Sequence, residues 1–298
     1  MADPIQFYSR PSQRLETESV YGEGPLRFVY EHPAGRLALH ALVKRRLFSR
    51  FYGWRMDHPA SRAKIKPFIE QFGVNAGEFA EPVASYRTFN EFFYRKLKPG
   101  ARPIAPGDHT VVFPADGRHL AIPDLDACSD FWVKGVRFNL PALLNDTGLA
   151  RNFAGGAALI SRLCPVDYHR FHFPCDGTPD APREINGPLY SVSPIALLRR
   201  PSILWENLRW VTRFESPRLG QVLLLEIGAT CVGSVVHNAP AGVPVAKGDE
   251  KGHFRFGGSC CITLFERARV RFADDLLEHG AVGREVYARM GEAAAVAA

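Results

Sequence analysis

From residue 111 onward the apolar residues of this chain come in short runs, and glycine or proline repeatedly interrupts them. Val111-Val112-Phe113 stops at Pro114, and 157–163, 221–227 and 260–265 are further runs of strand length. With 26 glycines and 23 prolines spread among such runs, long core helices are excluded there and short strands joined by many turns are expected. The N-terminal third reads differently. Residues 1 to about 35 look irregular and 36–98 look mainly helical. Thr88-Phe89-Asn90-Glu91 forms a capping box that starts a helix running to Leu97, where Pro99-Gly100 ends it. Short helices are also expected over 194–200 and 274–279. The fold class is α+β, a helical N-terminal layer on a strand-rich core. At 298 residues and 46% hydrophobic, the chain can bury a substantial core.

Gly257-Gly258-Ser259 closes the segment 245–256 and carries the most chemistry. Two residues without a Cβ let the backbone bend so that a serine hydroxyl is pressed against the carbonyl preceding it. In a self-cutting protein the Ser259 oxygen attacks the Gly258 carbonyl, and an ester replaces the peptide bond. Elimination across Cα and Cβ then frees the Gly258 carboxylate and leaves residue 259 to become a pyruvoyl group. The bland reading of the triplet is a flexible turn.

Two other segments bear on the choice. Pro114-Ala115-Asp116-Gly117 puts Asp116 at a strand end, where it is either a turn aspartate or a carboxylate facing a site. Tyr168-His169-Arg170-Phe171-His172-Phe173-Pro174 reads as a short aromatic strand stopped by proline. His169 and His172, three apart, point to opposite faces unless a bulge intervenes, so they do not share one role. A neutral imidazole can take a serine proton, and a carboxylate can orient that imidazole. The alternative is two histidines that merely hydrogen-bond within the sheet.

Taken together, 92–104 (Phe-Phe-Tyr-Arg-Lys-Leu-Lys-Pro-Gly-Ala-Arg-Pro-Ile), Pro-Ala-Asp-Gly, Tyr-His-Arg-Phe-His-Phe-Pro and 247–259 (Lys-Gly-Asp-Glu-Lys-Gly-His-Phe-Arg-Phe-Gly-Gly-Ser) resemble the phosphatidylserine decarboxylase family, in the family's order and over roughly 60–265. The resemblance implies that Asp116, His172 and Ser259 form a self-cleavage triad. It implies that Ser259 becomes the covalent pyruvoyl cofactor, which forms a Schiff base with the substrate amine, and that His169 contacts substrate or handles a proton. An electron sink made from the chain itself requires no added cofactor. Residues 1–60 are then an N-terminal segment and 61–298 a catalytic domain cut between Gly258 and Ser259. The large and small chains, of 258 and 40 residues, stay interwoven in one core. One departure is Cys260-Cys261, where the family commonly has threonine or serine after the cleavage serine.

A net charge of +6 points to an anionic partner, nucleic acid or an acidic membrane surface. The resemblance selects the phospholipid surface and no nucleic acid, and it is compatible with a homodimer. Within 36–55, Leu39, Val43, Leu47 and Phe51 form one helical stripe among Arg36, Lys44, Arg45, Arg46, Arg50 and Arg55, suited to lie in lipid headgroups or to pack on the core. No apolar run is long enough to span a bilayer, and 1–24 lacks a secretory core, so the expected location is the cytoplasmic face of a membrane, peripherally bound. Six cysteines without Cys-x-x-Cys spacing are expected to be reduced. Arg95, Lys98 and Arg102 are either ligands for substrate phosphate or surface and structural ion pairs. Three other functions stay open at this point: a pyruvoyl decarboxylase of a soluble amino acid, a zinc hydrolase using His169, His172 and Asp116, and a non-catalytic carrier built on the hairpin 242–252.

Overall fold

The computed structural model describes residues 5–126, 138–230, 235–257 and 259–298. Gly258, Cys128 and Cys231 lie outside the described residues.

The strands in chain order are β1 (Gln6–Ser9), β2 (Arg14–Thr17), β3 (Thr110–Val112), β4 (Gly117–Ile122), β5 (Ala157–Leu163), β6 (Arg170–His172), β7 (Thr178–Pro179), β8 (Arg183–Ile185), β9 (Arg209–Ser216), β10 (Gly220–Ile227), β11 (Val235–His237), β12 (Glu250–Phe254), β13 (Ser259–Phe265), β14 (Val270–Phe272), β15 (Val286–Ala288) and β16 (Ala293–Ala297). Ten of them make one sheet, ordered β2-β1-β15-β4-β5-β13-β10-β9-β7 with β8 also on β9. Two three-stranded sheets, β11-β12-β6 and β14-β16-β3, complete the strand-rich part, and the fold is α+β as its punctuation requires.

Strand alternation divides the interior. Along β13, Cys260, Ile262 and Leu264 enter a core with Leu143, Phe153, Ile160 and Leu223, under short helices such as Pro194–Leu197 and Ile203–Glu206. On the other side, Phe265 joins Phe113, Phe173, Phe214 and Leu276, while Cys261 packs with Ala115, Leu163, Phe171 and Phe254. β13 lies between β5 and β10, and β15 lies between β1 and β4. After residue 258, β13 and β15 are therefore woven into the large sheet between earlier strands, and β16 pairs with β3 of the earlier part.

The N-terminal layer contains α1 (Glu23–Glu31), α2 (Pro33–Ala38), α3 (Arg46–Asp57), α4 (Ile65–Phe72) and α5 (Phe89–Phe93). Several expectations are corrected here. The irregular first 35 residues hold a hairpin and a helix, because β1 finds a parallel partner in β15 at the far end of the chain. The single stripe over 36–55 does not form. Leu39–Val43 is a π-helical turn, and Arg45 is extended (φ −82°, ψ 141°), so the axis breaks between Leu39 and Leu47. Leu39 turns into the core at 4% exposure, whereas Leu47, Phe51 and Trp54 (77%, 56% and 62%) form an outward face of α3. The capping box is real at Thr88, whose Oγ1 accepts from Glu91 N at 3.1 Å, but Glu91 reaches back to Arg87 N (2.7 Å). That helix ends at Phe93, not Leu97, as the Tyr94 carbonyl accepts from Arg170 Nε (2.9 Å). The 194–200 helix likewise stops at Leu197.

Among the described residues no helix is long and apolar enough to cross a membrane.

Candidate active site

Ser259 opens β13 opposite Leu163 of β5. Its side chain is completely buried, and Oγ has no hydrogen-bond partner among the described residues. A buried hydroxyl left unpaired costs about 1–3 kcal/mol, so such a group in a native fold calls for a reason. Gly257, two residues upstream, has φ 139°, a conformation that side-chain-bearing residues rarely adopt. By alternation Ser259 shares the face of Cys261, which packs on Phe171 of β6 and Phe254 of β12. The hydroxyl thus looks toward the small sheet that carries the histidine motif.

The β6–β12 register shifts between Glu250 and Gly252, so the extra residue, Lys251, lies on β12 and not between the two histidines; His172 ends β6 and His169 precedes it. Gly252 allows the crossing, since a Cβ there would meet Val236 O at 2.1 Å and the Phe171 ring at 2.7 Å. His172 donates its backbone N–H to Pro114 O at 2.7 Å, so the histidine strand and the Pro-Ala-Asp-Gly turn are hydrogen-bonded neighbours. His172 Nδ1 is buried without a partner, and burial pushes this imidazole down to about 4, so it is neutral at physiological pH. His169 is buried completely beneath Phe93, ring centroids 3.8 Å apart, and burial lowers it to about 3. Its Nδ1 lies 3.0 Å from Asp167 O. A carbonyl only accepts, so Nδ1 carries the proton and the unpartnered Nε2 carries the lone pair. The two rings occupy different surroundings, in keeping with separate roles.

Asp116 follows β3 and precedes β4, 2% exposed. Its carboxylate is held by Arg102, with Nε at 2.9 and 3.0 Å and Nη2 at 2.6 Å, and by the N–H of Met290 at 2.9 Å. Arg102 also donates to Glu78 at 2.9 Å. Among the described residues no hydrogen bond joins Asp116, His172 and Ser259 to one another. Arg102 is therefore a structural ion-pair residue, and Lys98 bonds the Gly77 carbonyl at 2.8 Å. Arg95 is buried between Phe79 and Phe92, 4.9 and 5.0 Å from their ring centroids. No three His, Cys, Asp or Glu side chains among the described residues converge as metal ligands, so the zinc reading of His169, His172 and Asp116 finds no ligand set.

Cys260 points away from Ser259, into the apolar core on the opposite face of β13. Burial raises the thiols of Cys260 and Cys261, keeping both protonated and poorly nucleophilic. Cys260 is thus a core-packing side chain. The four described cysteines, Cys164, Cys175, Cys260 and Cys261, are free thiols.

A cavity of about 510 Å³ reaches Phe256 and Gly257 from the N-terminal layer. Val20, Tyr21, Leu26 and Tyr52 wall one side, and Leu163 and Pro165 the other. Sequence reading did not find it, because its walls come from seven separate parts of the chain.

A family model for phosphatidylserine decarboxylase matches residues 89–296. Three similar proteins, each named phosphatidylserine decarboxylase proenzyme, come from Fusobacterium nucleatum (42% identical over 290 residues, 97% of each chain), Desulfitobacterium hafniense strain Y51 (40% over 288 residues, 97% of each) and Chlamydia pneumoniae (41% over 287 residues, 96% of this chain and 95% of the relative). On a match of this length and identity, the chain belongs to the phosphatidylserine decarboxylase family.

Proposed function

We propose that this protein cuts itself between Gly258 and Ser259 and then decarboxylates phosphatidylserine to phosphatidylethanolamine and CO2 at a lipid surface. The observation that carries the reading is the buried, unpartnered Ser259 hydroxyl at the head of a central strand, two residues after a glycine in a conformation that other residues rarely adopt. The relatives' name, proenzyme, agrees with a chain that matures by cleavage.

His172, neutral at the end of β6, is the histidine that the family resemblance assigns as the base, taking the Ser259 proton. The Ser259 oxygen bonds to the Gly258 carbonyl carbon, the peptide C–N bond breaks, and the proton passes to the departing amine. Loss of the Ser259 α-proton then expels Gly258 as a carboxylate, and hydrolysis of the remaining unsaturated residue releases ammonia. Asp116, locked by Arg102, acts on His172 as a nearby fixed negative charge that favours the transient imidazolium. A pyruvoyl group at position 259 supplies an electrophilic ketone that draws electrons from the substrate's carbon–carboxylate bond. The orphaned hydroxyl and the adjoining cavity at Gly257 suit such a group. His169, with its Nε2 lone pair free, is placed to hold or return a proton during turnover.

Two features favour a lipid over a soluble amino acid. Leu47, Phe51 and Trp54 present an apolar face flanked by exposed Arg45, Arg50 and Arg55, which suits an anionic membrane on its cytoplasmic side. The cavity is walled by the same helical layer. Intact mass of purified protein beside a Ser259→Ala variant tests the core of the reading. Two chains of 258 and 40 residues are expected from the first and one inert chain from the second. A single uncut chain in active protein refutes it.

A further inference from the structure

The last residue of α3 is Asp57, a carboxylate at the end of a helix where the macrodipole disfavours negative charge. It sits there because it holds two partners. Arg255 Nη2 donates to both of its oxygens (2.6 and 2.7 Å), and Asn90 Nδ2 donates to Oδ1 at 2.8 Å. Asn90, 1% exposed on α5, uses its other end on the chain just before the cleavage position: its Oδ1 accepts from Phe256 N at 2.7 Å. An acceptor-only carboxylate on one side and an N–H donor on the other leave the amide one orientation. The Phe256 ring is packed by Tyr52 of α3 (5.7 Å, nearly parallel) and by Phe89 and Phe93 of α5 (5.2 and 5.0 Å). Phe93 is also the ring covering His169.

We propose that Asn90 and Asp57 are positioning residues for self-cleavage, forming with Arg255 a bracket that anchors the backbone three residues before Ser259. The inference rests on the self-cleavage reading. A glycine has no side chain through which packing can fix its φ and ψ, so the orientation of a carbonyl in a glycine pair must be set by the residues around it. An anchor on the N–H and ring of Phe256 reduces that freedom to the φ and ψ of two residues. Orientation is thereby prepaid in the fold instead of being found anew for each attack. Releasing the anchor frees about one further residue of backbone, which corresponds to roughly a tenfold loss of rate.

The test is timed cell-free synthesis of the full chain, with cleavage followed on denaturing gels and the folded fraction checked by thermal melting. Asn90→Asp keeps the acceptor for Phe256 N but sets two carboxylates against each other, and a cleavage rate about tenfold lower is expected. Adding Asp57→Asn restores donor facing acceptor, and the Asn90→Asp/Asp57→Asn chain is expected to recover to within about threefold of the parent. A purely structural pair would slow cleavage only in step with lost thermal stability. Folded Asn90→Asp protein that cleaves at the parental rate overturns the inference, as does a double variant that regains stability without regaining rate. Should Asn90→Asp fail to fold, Arg255→Gln at the partly exposed end of the bracket decides: about threefold slower cleavage supports the bracket and parental cleavage refutes it. If the parent chain itself is never cut, the self-cleavage reading fails and not merely the bracket.

Discussion

Replacing Glu18 by glutamine isolates the charge that ties the N-terminal hairpin to both future chains. Arg162, 2% exposed on β5, donates to Glu18 through Nη1 (2.9 Å) and Nη2 (2.6 Å), and to Glu285 through Nε (2.9 Å) and Nη2 (2.5 Å). Glu285 belongs to the 259–298 part and Glu18 to the other, so one guanidinium spans the cleavage products. A guanidinium cannot shed its proton to escape burial, so Glu18→Gln leaves it with one of two compensating carboxylates. Breaking a buried pair costs about 3–5 kcal/mol, and the surviving Glu285 places this case near 3 kcal/mol. For a chain of this size that is a fall in melting temperature of roughly 5 °C. Burial raises the Glu18 carboxyl, but the charge and hydrogen bonds of Arg162, together with the Arg118 charge and the Cys164 hydrogen bond, outweigh it and hold the group down at about 2, below its ordinary 4.5. A depressed carboxylate contributes stability that is complete above about pH 4.5 and lost as pH falls toward 2. Melting curves of the Ser259→Ala chain with and without Glu18→Gln, from about pH 7 to pH 3, should therefore differ most at neutrality and converge on acidification. A difference under about 2 °C at pH 7, or one that stays constant down to pH 3, refutes the reasoning.

His169→Gln should be cut within about threefold of the parental rate yet lose at least about a hundredfold in decarboxylation; the opposite pattern would assign His169 to maturation. Because burial lowers His172 to about 4, its neutral, basic form persists through the physiological range. The self-cleavage rate should then be flat between about pH 5.5 and 8, and a half-loss near pH 6.5 would show that another group is the base. The triple change Leu47→Ser, Phe51→Ser and Trp54→Ser should weaken binding to phosphatidylserine-containing vesicles by at least about tenfold while leaving cleavage intact. Unchanged binding would remove this face from the lipid reading.

The sequence by itself determined what depends on neighbours along the chain. Short apolar runs cut by glycine and proline specify β5, β10 and β13 closely, because strand formation needs only local alternation and a stop. The candidate chemistry was legible for the same reason: Gly257, Gly258 and Ser259 are contiguous, and each histidine or aspartate sits in its own short motif. Tertiary structure decided everything that depends on partners far away in sequence. It gave β1 its place by pairing it with β15, and it broke the expected 36–55 helix so that Leu39 entered the core while Leu47 stayed outside. It also turned Arg102 from a candidate phosphate ligand into the guanidinium holding Asp116, and it made Asn90, an unremarked residue inside a capping box, the clamp on Phe256. Hydrogen-bonding capacity is written in a side chain's formula, but the atom that satisfies it is set by the packing of the whole fold.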